Sequence, residues 1–305
     1  MQTILGAVSA VSRELAKSLS GYSNNIKLAG RNPDTVSGTE IILKGDLSNS
    51  LFLDEAVKGS EIVYVTIGFE YKSIIWEEKW PPFMENLISI CSRHNAKIVF
   101  LDNMYMYGHE YLADMREDTP VNPESRKGRV RARVANMLID AAEKGEVKAI
   151  IARAADFYGP GVKNSGLMQT VYKNLLNNKN PLWTGNPDKI HNFTFSEDIG
   201  RGMAMLGNTP DAYNEIWHLP AFHEKITVRR LIEMFMEEMN VERKINSIGP
   251  AALTLLGLFV PVLKEIKDVY YQFSGDYFFN SSKFNRRFNY TPVTPAEAVK
   301  KIICS

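Results

Sequence analysis

Cysteine is scarce in this chain of 305 residues, two in all. Cys91 lies inside an apolar periodic stretch and Cys304 beside the C-terminus, which is no disulfide framework and points to a reducing, cytoplasmic setting. An excess of charge is missing too. The 36 basic and 35 acidic residues leave a formal +1, which argues against nucleic acid or an anionic membrane surface as partner and leaves small molecules. Long apolar runs are absent: the greasiest, "AALTLLGLFVPVL" (251–263), is shorter than the ~20 residues of a spanning helix and contains Pro261. It reads as a buried helix or a substrate-pocket lid, not as membrane contact. The opening "MQTILGAVSA" has no basic segment, and Gly6 and Ser9 break its apolar run, so no signal peptide is expected. The 5 histidines stand at no metal-ligand spacing, and neither a G-x-S-x-G elbow nor a P-loop is found.

What the chain does have is a rhythm. With 45% hydrophobic and 23% charged residues it can bury one large core or two smaller ones. Short apolar runs, "TILGA", "NIKLAG", "EIVYVTIG", "AKIVFLD" and "VKAIIARA", alternate with helical patterns over 11–20, 51–58, 81–94 and 127–144. This alternation predicts an α/β fold with a doubly wound parallel sheet. After about residue 155 the rhythm loosens into turns and separated helices at 165–177, 197–206, 227–239 and 295–303. The expected division is therefore a dinucleotide-binding domain over 1–155. A smaller, mainly helical substrate region over 156–305 is partly interleaved with the sheet.

The first strand–helix turn, "LGAVSAVS", keeps one glycine, Gly6, and continues with Ser9 and Ser12 at three-residue spacing. A turn of this kind lets backbone amides at a helix N-terminus face a pyrophosphate, and serine adds a hydroxyl donor. "KLAGRNP" places Arg31 at the tip of the second strand, where arginine pairs with a 2′-phosphate and an acid would take a ribose hydroxyl; NADP is favoured over NAD. Asp46, in "GDLSN", follows the third short strand.

Taken in order, "LGAVSAVSRELA", "LAGRNP", "GDLSN", "VTIGF", "KIVFLDNMYMYG", "IARAADFYGPG", "NFTFSEDIGRGMAML" and "FNSSKFNRRFNYTPVTPAEAV" resemble the extended short-chain dehydrogenase/reductase superfamily. NAD(P)-dependent epimerase/dehydratase-like members are the nearest in look. The resemblance implies a Rossmann-like sheet and a cofactor held by Gly6, Ser9, Ala10, Val11, Arg31, Asp46, Leu47, Ile67 and Ala154. It also implies hydride transfer at a carbinol carbon, a tyrosine of a Tyr-x-x-x-Lys pair handling the proton, and a homodimer formed through helices 81–94 and 127–144.

The chain departs from that pattern where the chemistry should sit. "KGRVR" puts Lys127 at the tyrosine position and Arg131 at the lysine position, and Asn103 stands where a serine or threonine is usual. Two readings of "RKGRVRAR" stay open: a solvated basic helix start, or Lys127 and Arg131 one turn apart, facing the cofactor. Tyr105 is the candidate replacement phenol. Asp156 takes the place of an asparagine that often meets substrate. His191 and Asn192 replace an arginine that grips a diphosphate, with Lys189 nearby. The expected activity is thus an NAD(P)-dependent oxidoreductase or epimerase-like enzyme on a carbonyl or sugar-type substrate, with Asn103, Tyr105, Lys127 and Arg131 around the reacting centre. Its rival is a non-catalytic NADP(H)-binding sensor or regulator.

Overall fold

A computed structural model describes residues 1–163, 165–259 and 261–305. Its first half follows the alternation of apolar runs and amphipathic segments. β1 (Gln2–Leu5), α1 (Ala10–Leu19), β2 (Ile26–Gly30), β3 (Ile41–Lys44), α2 (Ser50–Val57) and β4 (Ile62–Val65) come first, then α3 (Ser73–Arg93), β5 (Lys97–Asp102), α4 (Arg126–Glu143) and β6 (Ala149–Arg153). β1, β2, β4 and β6 are buried along their whole length, as strands covered by helices on both faces must be.

The second half adds β7 (Asp156–Tyr158), a π-helical turn at Leu167–Tyr172, α5 (Lys173–Leu176), β8 (Leu182–Thr184), β9 (Phe193–Phe195), α6 (Ser196–Gly207) and β10 (Glu215–His218). α7 (Val228–Glu238), β11 (Asn246–Ile248), α8 (Pro250–Leu256), α9 (Pro261–Asp268), α10 (Tyr271–Ser274), α11 (Ser282–Phe288) and α12 (Pro295–Ile303) complete it. The central sheet has seven strands in the order β10-β6-β5-β4-β1-β2-β3, paired parallel throughout. It is a doubly wound, Rossmann-like sheet whose last strand comes from beyond residue 155.

One face packs on α2, α3 and α4 through Leu53, Trp80, Phe83, Leu87 and Leu138; the other packs on α1, α6 and α11 through Leu15, Leu19, Ile199, Met203 and Phe284. A third cluster, around Trp183, Phe193, Phe195, Leu231, Phe235 and Ile302, belongs to the C-terminal half.

Two expectations change. α3 begins at Ser73, eight residues before 81, and runs through Pro81 and Pro82. Prolines mark a helix start because their missing N–H costs nothing in the first turn. Here they lie further in, and burial of Trp76, Trp80, Phe83 and Met84 on that face offsets the lost bonds. The 251–263 segment, whose Val260 lies outside the described residues, forms no buried helix: it divides into α8 and α9, with Leu255, Leu258 and Phe259 62%, 75% and 79% exposed. No helix among the described residues is long and apolar enough to cross a membrane.

Candidate active site

β1 runs into Gly6, the first residue past the strand, whose φ of +92° is open to glycine but strained for other residues. A Cβ there would also lie 2.7 Å from the Ile67 backbone, so the turn and the end of β4 meet without a side chain between them. Ser9 then caps α1. Its Oγ accepts from the Ser12 N–H at 3.1 Å, and Ser12 Oγ accepts from the Ser9 N–H at 2.9 Å, a reciprocal capping box. The two serines thus spend their hydroxyls on each other's amides. The amides of Ala10 and Val11 are left with no acceptor among the described residues. Free N–H groups at a helix N-terminus are an anion site.

At the neighbouring strand ends, Arg31 is exposed and Asp46 Oδ1 accepts from the Ser48 N–H at 2.9 Å. Bonds from Ser48, with the Arg31 charge adding to them, hold the Asp46 carboxyl below its usual range. Leu47 is buried behind it, and Ala154 is fully buried just past β6, its N–H on the Asp102 carbonyl at 3.1 Å. This donor set suits a dinucleotide: two free amides for a pyrophosphate, and a cation beside a carboxylate for the adenosine end.

After β5, Asn103 Oδ1 accepts from the Tyr105 N–H at 3.2 Å and tightens the turn. Gly128, in the first turn of α4, lets the chain pass close, since a Cβ there would sit 2.1 Å from the Tyr105 carbonyl oxygen. The Tyr105 ring stacks on Trp76 at 6.1 Å, and its hydroxyl meets that of Tyr71 at 3.1 Å. Burial, with Tyr71 and Asp156 adding to it, pushes the Tyr105 phenol well above its usual range. Burial does the same to Tyr71. Both phenols therefore hold their protons through neutral pH, which makes them donors rather than bases.

The basic start of α4 is split between two faces: Arg126, Arg129 and Arg133 are exposed, while Lys127 and Arg131 are buried. Arg126 pairs with Glu77 of α3 at 2.5 Å. Lys127, fully buried, binds Glu265 of α9, lies 3.3 Å from Ser73 Oγ and sits 4.3 Å from the centre of the Tyr71 ring. Arg131 Nε donates to Asp102 Oδ1 at 2.7 Å, with its guanidinium over Trp80 and Phe100. Arg153 reaches the other oxygen of Asp102 at 3.4 Å and donates to Tyr107 Oη at 2.5 Å. The structure thus brings Tyr105 and Lys127 together around Tyr71, with Asn103 holding the Tyr105 backbone. Arg131 is engaged one turn away on the end of β5.

At the other side Asp156 and His191 meet directly, Nε2 to Oδ2 at 3.0 Å. Sequence reasoning missed Tyr71, Ser73, Glu265 and Asp102. Asp102 carried a signal, an acid at a strand end in the quoted "FLDNM" run. Glu265 is separated from Lys127 by 138 residues, and no local pattern announces it.

The chain matches the NAD dependent epimerase/dehydratase family over residues 3–219. It belongs to that family, which is one of enzymes. None of the curated protein sequences compared with it matches. Among solved structures it is similar to a double mutant of the dTDP-glucose 4,6-dehydratase from Streptomyces venezuelae, solved with NAD. That likeness has a TM-score of 0.80 at 14% identity and covers 99% of this chain and 96% of that one. The UDP-glucuronic acid 4-epimerase from Bacillus cereus, in complex with NAD, gives 0.79 at 15%, with 99% and 97% covered. The dTDP-glucose 4,6-dehydratase from Bacillus anthracis, also with NAD, gives 0.79 at 12%, with 99% and 95% covered. At these identities the likeness shows the fold.

Proposed function

We propose that this chain is an NADP-preferring oxidoreductase or epimerase-like enzyme that works on a carbonyl or sugar-type substrate. The observation that carries the reading is the start of α1, where Gly6 leads into a capped helix with the Ala10 and Val11 amides free and Arg31 stands at the next strand end. The neighbours' bound NAD supports the nicotinamide cofactor, and Arg31 supports the 2′-phosphate. A bound nicotinamide would supply or accept hydride. The chain's own part is then to place a proton: Tyr105 gives it from Oη to a substrate oxygen, Tyr71 Oη hydrogen-bonds the Tyr105 oxygen left behind, and Lys127 lies under the Tyr71 ring. Phenols that are protonated at neutral pH suit the reducing direction, in which the site gives a proton. Arg131 acts as a positioning residue, holding Asp102 and the end of β5.

A specific observation also favours the rival, a sensor that binds NADP(H) without turnover: the cations at both family positions are engaged, Lys127 by Glu265 and Arg131 by Asp102. Titration calorimetry of the cofactor-stripped protein with NADPH, NADH, NADP and NAD tests both readings. NADPH is expected to bind best and to weaken at least ~10-fold in Arg31→Asp. Binding of none of the four removes both. Tyr105→Phe then separates them, since the enzyme loses ~100-fold in turnover on a carbonyl panel with NADPH affinity unchanged. α3 and α4, packed side by side, are the proposed homodimer face in a cytoplasmic protein; a monomer mass by light scattering would remove that assignment.

A further inference from the structure

Asp156 and His191 meet because β7 and β9 pair in parallel, with Asp156 opposite Phe193. The imidazole, 2% exposed, lies parallel to the rings of Tyr277 at 4.2 Å and Phe273 at 5.6 Å. Its orientation is fixed by that packing and by the Nε2–H it gives to Asp156. The Asp156 side chain, by contrast, stays 27% exposed, so one side of the carboxylate is open.

Three buried cations at the start of α4 and the ends of β5 and β6 are already matched. Lys127 is bound to Glu265, and Arg131 and Arg153 share Asp102. The Asp156 charge is near enough to act on the phenols of Tyr71, Tyr105 and Tyr277.

A second acceptor is linked to the Tyr105 turn through Tyr271. Gln272 is completely buried, and its Nε2 lies 3.3 Å from the Tyr271 hydroxyl. That hydroxyl gives its proton to the Tyr105 carbonyl at 3.1 Å, so it can only accept from Gln272. The assignment fixes the amide and leaves Gln272 Oε1 buried without a partner. An orphaned buried carbonyl is costly unless something donates to it.

We infer that the substrate end of this site is built for a hydrogen-bond donor at Asp156, an ammonium ahead of a hydroxyl. The inference rests on the reading of this site as the substrate-binding one. An ammonium gains the carboxylate's charge. An anion meets like charge at Asp156.

The test uses the full chain with NADP added, at pH 8, where an ordinary imidazole is neutral. The ring signals of His191, assigned with His191→Gln, are followed by NMR during addition of cyclohexylamine, cyclohexanol or cyclohexanecarboxylate. The ammonium is expected to move them with an affinity ~10-fold above the alcohol's, the carboxylate to leave them in place, and Asp156→Asn to bring the ammonium down to the alcohol. A carboxylate response equal to the ammonium's, no response to the ammonium, or a preference that survives Asp156→Asn overturns the inference. NADP binding is read in the same samples by calorimetry. Selectivity without NADP binding would strike the cofactor reading and leave this one standing.

Discussion

Asp198, in the first turn of α6, is buried with two donors on it, Tyr290 Oη at 2.6 Å and the Val293 N–H at 3.0 Å. Burial outweighs both bonds and pushes its carboxyl up to about 6 from an ordinary 3.8. The folded state thus keeps a proton that the unfolded chain releases, and the group's stabilisation is full below pH 3.8 and lost as pH rises through about 6. The upper limit of that loss is ~3 kcal/mol. Asp198→Asn stays uncharged, so denaturant unfolding between pH 4 and 7 is expected to show a flatter stability profile than the parent. A profile as steep as the parent's would assign the dependence to other carboxyls.

The elements meet at points where a single atom decides the spacing, and α4 against the Tyr105 turn is one of them. The Tyr105 carbonyl oxygen lies where a Gly128 Cβ would stand, 2.1 Å away, and neither backbone can give without disturbing its element. Gly128→Ala is therefore expected to cost ~2–3 kcal/mol in chemical unfolding, more than a gain in helix propensity returns. It should also move Tyr105 off Tyr71, seen as a shifted Tyr105 ring signal; a variant as stable as the parent would mean that the turn is free to move.

α4 itself is legible in the sequence, because Val130, Val134, Leu138 and Ala141 recur every three to four residues and burial on one face is a local pattern. What α4 touches is not legible. Glu265, Glu77 and Asp102 answer its basic residues from three other elements, and only the folded chain brings them there. The start of α3 failed for a related reason, since Pro81 and Pro82 carry a local stop signal that the burial of Trp76 and Trp80 overrides.

At the scale of the whole molecule, elements beyond residue 155 interleave with the central sheet. β10 pairs with β6 from Glu215 opposite Ile150 to His218 opposite Arg153 and forms the outer strand of the central sheet. α6 covers α1, so that Ile199, Met203 and Leu206 share a core with Leu15, Leu19 and Ile4. Residues 1–155 alone would leave β6 as a bare edge and uncover the apolar face of α1, including the helix whose first amides are proposed to hold the cofactor.

α9 ties the halves again at the site, through Glu265 to Lys127 and Ser73, and through Asp268 Oδ2, which accepts from the Arg126 N–H at 3.1 Å. The fragment 1–155 is therefore expected to lack cooperative thermal unfolding and dispersed NMR amide signals, while the full chain shows both. A cooperatively folded fragment that bound NADPH as tightly as the full chain would restore the two-domain division and make α6 and β10 additions to a complete nucleotide-binding unit.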